Sequence, residues 1–324
     1  MEIVMFRYTA LIAAFILSAC GSVDDYSGAY AKYDKDFRLQ HPLTVHEIDR
    51  DGQKLNAREF KAASNSGNEN PPIILMHGFP DSLHLYDRLA PLLTAQRQVV
   101  SFDFLGWGNS DKPQNHIYDV ASMRADLEAV IAHFKFDKFV LVVHDSSGHP
   151  GIDYALDNPT RVAELVLLNT FYAPSDSLVP PPAIRRFSTP GIARDLLVFG
   201  TGLSDARWQS GYLEQVGQFF DDDKMREKYL PIFAHQAMKI RTAFIGLNHV
   251  LREEIMARQD RLDELRQLSV PTKIIFGAED PFLNTKVARE FDNYLPNSQL
   301  LLVKGAAHYV QLDKPQTVAN FILK

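Results

Sequence analysis

The chain has 324 residues, 46% of them hydrophobic, which is enough to bury one large core with a smaller accessory lobe, because the buried share of surface rises with length. A net charge of −6 excludes the basic footprint needed to displace counterions from nucleic-acid phosphates, so a neutral small molecule is the expected partner. The sequence has no like-charge runs, low-complexity tracts or fixed-period repeats, which excludes solenoids and coiled coils.

The amino terminus carries Arg7 and then an apolar stretch from Tyr8 to Leu17, which ends in Leu17-Ser18-Ala19-Cys20-Gly21. A positive start, a short apolar segment and small residues before a break make a secretory signal, and the segment is too short to span a bilayer comfortably. The Leu-Ser-Ala-Cys run resembles the bacterial lipobox. That resemblance implies cleavage after residue 19, a diacylglyceryl group on the Cys20 thiol and attachment to a membrane by two or more acyl chains, enough for stable anchoring. Gly21 in place of an aspartate favours, by the same resemblance, the outer over the inner membrane. Cys20 is the chain's single cysteine, so an oxidising compartment offers the mature protein no disulfide to form. Residues from Gly21 to about Asp36 are small, polar or charged with several tyrosines and no clear period, and read as a tether, giving a signal peptide at 1–19 and a lipidated tether at 20–36.

Two short strands are expected at Thr44–Asp49 and Leu55–Phe60, joined through the hairpin signal Asp51-Gly52. Continuous apolar runs follow at Ile73–Met76, Val99–Phe102, Phe139–Val143, Leu165–Leu168, Lys273–Phe276 and Leu300–Val303, each suited to a strand buried on both faces. Between the second and third of these, Val120, Met123, Leu127, Val130, Ile131 and Phe134 share one face at helical spacing. Such alternation predicts an α/β fold with a mostly parallel sheet between helices. About a hundred residues separate the strands ending at Leu168 and beginning at Lys273, where a crossover needs a dozen or more. This stretch is rich in aromatics and reads as an inserted helical cap, 172–262, over a core formed by 37–171 and 263–324.

After Phe139–Val143 comes His144-Asp145-Ser146-Ser147-Gly148 and then a helical pattern, which is a strand-turn-helix elbow. A tight elbow needs a small residue two positions after the exposed one, and usually has one two positions before it. Asp145 would be flanked by Val143 and Ser147, and Ser146 by His144 and Gly148; the histidine crowds the turn more, so Asp145 is favoured, with Ser146 the competing register.

Three segments carry a further resemblance: His77-Gly78-Phe79-Pro80-Asp81, Asp103 to Pro113, and the elbow. They resemble the epoxide hydrolase and haloalkane dehalogenase branch of the α/β-hydrolase fold family, whose elbow usually reads His-Asp-Trp-Gly-Gly with the aspartate as nucleophile; Ser146 and Ser147 replace the Trp and Gly. The resemblance implies a catalytic set of Asp145, Asp280 and His308, in the chain order nucleophile, acid, histidine. It also implies an oxyanion hole from the backbone amides of Phe79 and Ser146, and no cofactor. No spaced zinc-type ligand set occurs, so no metal is expected.

An ionised aspartate needs no base to attack an sp³ carbon, and a histidine then activates water against the resulting ester. Family resemblance assigns halide release to tryptophan donors and epoxide opening to cap tyrosines; Trp208 and Tyr172, Tyr212 and Tyr229 are the candidates. Three available tyrosines and the His-Gly-Phe-Pro wording favour epoxide hydrolysis, with haloalkane dehalogenation as alternative. A Ser146-dependent esterase and a non-catalytic binding lipoprotein stand as readings from other classes.

Overall fold

The computed structural model describes residues 22–63 and 70–324, so the expected signal peptide and Cys20 lie outside the described residues. The core is an eight-stranded sheet: β1 (Thr44–Arg50), β2 (Gln53–Phe60), β3 (Ile73–Met76), β4 (Val99–Phe102), β5 (Phe139–Asp145), β6 (Val162–Thr170), β7 (Thr272–Gly277) and β8 (Ser298–Val303), in spatial order β1-β2-β4-β3-β5-β6-β7-β8. The β1–β2 and β2–β4 pairs are antiparallel and all others parallel. Every residue of β3, β4 and β7 is buried, as continuous apolar runs require when helices cover both faces. At the β1–β2 turn, Asp51 (φ 52°) and Gly52 (φ 81°) both adopt the left-handed conformation that matches the twist of a two-residue hairpin.

The sequence places the helix between β4 and β5 correctly, at α2 (Val120–Phe134). Asp119 caps its start by accepting the Ser122 amide at 2.8 Å, and Lys135, with φ 54°, ends it. Helices then follow as α3 (Gly148–Asp157), the cap helices α4 (Pro182–Ser188), α5 (Ile192–Leu203), α6 (Asp205–Gly217), α7 (Asp223–Ala234) and α8 (Arg241–Ala257), and finally α9 (Thr285–Tyr294) and α10 (Pro315–Ile322). The cap occupies the long interval between β6 and β7 that the sequence marks as an insertion.

The expected tether needs correction. Residues Ser27–Gln40 form a helix, α1, docked on the body instead of a loose spacer. Phe37 is buried, Tyr33 donates to Asp87 at 3.0 Å, and Asp34 pairs with Arg58. Arg58 is buried on β2 and is also held by Asp87 at 2.9 Å. The helix rests on aromatic and ionic contacts to other elements and has one fully buried apolar residue, so it carries no aliphatic stripe for a periodicity reading to detect.

Candidate active site

β5 ends in a sharp turn whose tip is Asp145, with φ 51°, a backbone conformation that costs a non-glycine residue energy and persists only where surrounding packing enforces it. Small residues make the turn possible. A Cβ at Gly78 would lie 2.6 Å from Asp145 Cβ and 2.7 Å from His144 Nδ1; one at Gly148 would lie 2.0 Å from Thr170 Oγ1. Ser147 Oγ is fully buried; it accepts the His144 amide at 2.8 Å and lies 3.0 Å from the Met76 carbonyl. The turn then enters α3, whose amino terminus faces the site.

His308 follows β8 and is 2% exposed. Its Nδ1 lies 2.8 Å from Asp280 Oδ2 and its Nε2 lies 3.7 Å from Asp145 Oδ2. Asp280 follows β7; its Oδ1 accepts the amides of Phe282 (2.8 Å) and Leu283 (3.1 Å), and its Oδ2 also accepts Asn169 Nδ2 at 2.9 Å. The backbone amide of Phe79 donates to Asp145 Oδ1 at 3.1 Å, and the Ser146 amide bonds the same carboxylate. The residues expected as nucleophile, acid, histidine and amide donors thus converge on one point. Ser146 lines the pocket as well, with its buried Oγ free of any hydrogen-bond partner among the described residues.

Burial alone would lower the His308 pKa, but the carboxylates of Asp280, Asp145 and Asp81 outweigh it and raise the imidazole to about 9. Asp280 shows the reciprocal balance: burial opposes ionisation, yet His308's charge and hydrogen bond hold its carboxyl below the ordinary value. Burial raises Asp145, with His308 and the two amides opposing. Asp81 is driven by burial up to about 7 even though it accepts a 2.5 Å hydrogen bond from Tyr309.

The pocket above Asp145 encloses about 140 Å³. Apart from Asp145, Ser146 and His308 its walls are apolar, including Phe79, Phe171, Ile184, Phe219, Leu251 and Phe282. Phe219 packs over the imidazole with ring centroids 4.6 Å apart.

None of the four expected cap donors lines this pocket. Tyr172 donates to Asp153 at 2.6 Å, in a cluster with Arg258 and Arg261. Tyr212 donates to the carbonyls of Pro80 (3.2 Å) or Phe233 (3.1 Å), and Trp208 Nε1 donates to the Ala237 carbonyl at 2.7 Å. Tyr229 packs against Tyr33 of α1. Each hydroxyl or indole is claimed by cap or core, because a buried donor left unpaired costs more than the packing gains.

Two contributors escaped the sequence reading. Asn169 bridges strands, accepting the Gly277 amide at 2.8 Å while holding Asp280; a polar residue directly after the apolar run Leu165–Leu168 was the available signal. His144 Nε2 donates to the His308 carbonyl at 3.0 Å, and burial keeps its ring neutral, so it fixes the backbone that carries the imidazole. Among the described residues no group of three or more His, Cys, Asp or Glu could hold a metal ion, and no helix is long and apolar enough to cross a membrane.

The α/β hydrolase fold model matches residues 71–315. The chain belongs to the α/β hydrolase fold family. It is 26% identical over 288 residues to the AB hydrolase superfamily protein YfhM of Bacillus subtilis, covering 83% of this chain and 94% of that one. It is 38% identical to a fluoroacetate dehalogenase of a Burkholderia species over 107 residues, 32% of this chain and 35% of that one. Its fold superimposes on that of the epoxide hydrolase CorEH with a TM-score of 0.63 at 20% identity, covering 87% of this chain and 97% of the other. Membership of this family and these relatives make the protein an α/β-fold hydrolase, in place of a binding lipoprotein without activity.

Proposed function

We propose that this hydrolase opens a small, neutral, apolar epoxide through an alkyl ester on Asp145, and that it acts while held at a bacterial membrane, the outer membrane by preference, through lipidated Cys20. The single observation that carries the chemistry is the elbow: its left-handed tip residue is a carboxylate facing His308 inside an otherwise apolar pocket. The lipid anchor rests on the Leu17-Ser18-Ala19-Cys20 sequence.

Asp145 attacks one epoxide carbon, the C–O bond breaks, and the electron pair goes to the leaving oxygen. With a pKa of about 9, His308 stands as an imidazolium at neutral pH and supplies the proton that this alkoxide takes up. Esterification removes the negative charge of Asp145, so the imidazole loses one of its three carboxylate neighbours and becomes easier to deprotonate. Now neutral, His308 takes a proton from water; hydroxide adds to the ester carbonyl, the amides of Phe79 and Ser146 hold the oxyanion, and collapse releases the diol. The cycle ends with Asp145 ionised and His308 protonated, and its sum is epoxide plus water to diol. The His77-Gly78-Phe79-Pro80 wording after β3 keeps the epoxide reading ahead of haloalkane dehalogenation despite the displaced tyrosines. A fluoroacetate-like acid fits poorly, since the pocket has no Lys or Arg to meet its carboxylate.

Ser146 supports a second reading, acyl transfer to its Oγ, because that hydroxyl lines the pocket with no other partner. A single turnover in heavy-oxygen water, followed by mass analysis of the elbow peptide, separates the two: label enters the Asp145 carboxylate in the ester mechanism and stays out of it in the serine mechanism. Loss of turnover in Ser146→Ala but not in Asp145→Asn would overturn the proposal.

A further inference from the structure

Helix α5 presents an apolar stripe to solvent: Ile192 (79% exposed), Leu196 (64%), Phe199 (66%) and Leu203 (61%). At 100° per residue these four fall within about a 60° arc. The opposite face, with Leu197, Val198 and Thr201, packs into the cap, so α5 is apolar on both sides. Four large apolar side chains in one exposed line is an arrangement that marks a docking surface. Asp195 on the flank is ion-paired with Arg194, and the adjoining α4 carries exposed Arg185 and Arg186.

Where the chain leaves the body identifies the occupant. Asp24 is stitched to Gln209 of α6 by two hydrogen bonds, its amide to Gln209 Oε1 (2.8 Å) and Gln209 Nε2 to its carbonyl (2.7 Å). Helix α6 packs directly against α5. Only four residue steps separate Asp24 from Cys20, a reach of at most about 14 Å. An acyl anchor at Cys20 would therefore enter the bilayer within that reach of α6, the helix packed against α5. With 12 residues, α5 is far too short to span a membrane and suits lying in its surface.

We propose that α5 lies flat in the lipid interface, its Ile192–Leu203 stripe among the upper acyl chains and the α4 arginines near lipid phosphates. Substrate then enters from the bilayer. A cavity of about 540 Å³ between α4, α5 and α6, lined in part by Leu196, Leu197, Trp208 and Tyr212, neighbours the catalytic pocket, with Pro181 as a wall common to both. An apolar epoxide partitioned into acyl chains would reach Asp145 by this path without crossing bulk water. The placement of the membrane rests on the Cys20 anchor proposed above.

The test uses the full chain, reconstituted in vesicles of phosphatidylethanolamine and phosphatidylglycerol at three to one. With Cys20 acylated, Phe199→Cys gives the only free thiol for a fluorophore, and Lys138→Cys, exposed just before β5 at the opposite end of the sheet from Asp145, gives the control. Expected is quenching of the label at 199 by lipids carrying a nitroxide on the acyl chain, and of the label at 138 by aqueous iodide only. The unlabelled pair Phe199→Ser with Leu203→Ser should raise KM for a bilayer-dissolved epoxide about tenfold while leaving kcat and turnover of a water-dissolved substrate unchanged. Iodide quenching at 199 equal to that at 138 would overturn the proposal. So would a label shielded from both quenchers in a chain sedimenting as a dimer, which would make α5 a contact between copies. Mass analysis of the amino-terminal peptide tests the anchor independently: an unlipidated Cys20 with lipid quenching at 199 would defeat the anchor and keep the docking surface.

Discussion

Replacing His308 with Gln should stop the reaction at the covalent ester. Among the described residues lining the pocket, the imidazole is the only group besides Asp145 and Ser146 that can move a proton, and general-base catalysis contributes roughly 10²–10⁴-fold, or about 3–5 kcal/mol of barrier. Ring opening in the variant draws its proton from pocket water and slows, but the ester persists because the base is gone. The protein should remain folded. Breaking a buried ion pair costs about 3–5 kcal/mol, and Asp280 keeps three of its donors, the amides of Phe282 and Leu283 and the Asn169 side chain, which holds the loss toward the lower end of that range. The stability difference also has a sign in pH. Because folding raises the His308 pKa from 6.5 to about 9, its contribution is fully present below pH 6.5 and fades as pH climbs through 9, so wild type and variant converge in alkaline solution. Intact-protein mass spectrometry of the variant mixed with an epoxide that the wild type hydrolyses is the assay. Expected is one adduct per chain, on the peptide carrying Asp145, with a mass gain equal to the whole epoxide. An alkyl halide that formed the same ester would leave its halide behind, so the increment itself distinguishes the two substrate classes. An adduct on Ser146, or none at all, would refute the reasoning.

Further outcomes follow from the same geometry. If the imidazolium supplies the proton for ring opening, kcat/KM in wild type should fall above pH about 9, and Asp280→Asn, which removes the main partner raising that pKa, should move this alkaline limb downward, as pH–rate profiles would read. Gly78→Ala forces a methyl to within 2.6 Å of Asp145 Cβ; a loss of about 1–3 kcal/mol in denaturant titration and a larger fall in activity than in stability are expected. Tyr212→Phe should leave kcat within about twofold of wild type and cost about 1 kcal/mol of stability, because its hydroxyl serves the carbonyls of Pro80 and Phe233 and not the reaction; a large loss of kcat with unchanged melting would return Tyr212 to the site.

Residue order alone determined a great deal here. Buried parallel strands appear as unbroken apolar runs, because both faces meet helices, and a hairpin needs the left-handed tolerance of Asp51-Gly52; these patterns are local, so β1 to β8, α2 and the inserted cap were all legible. The elbow was legible from the residues beside Asp145, while the close approach of Gly78 and of Thr170 to the turn appeared only in the fold. What only the tertiary structure decided were partners distant in sequence. Whether a cap tyrosine faces the substrate or a carbonyl depends on how separate helices pack, and Tyr172, Tyr212, Tyr229 and Trp208 each proved to be engaged elsewhere. The helix at Ser27–Gln40 was hidden likewise, because Asp34, Tyr33 and Phe37 are held by Arg58, Asp87 and the core, partners distant in sequence. Short-range sterics and hydrophobic period are written along the chain, whereas the satisfaction of a buried polar group is settled by whatever the fold brings beside it.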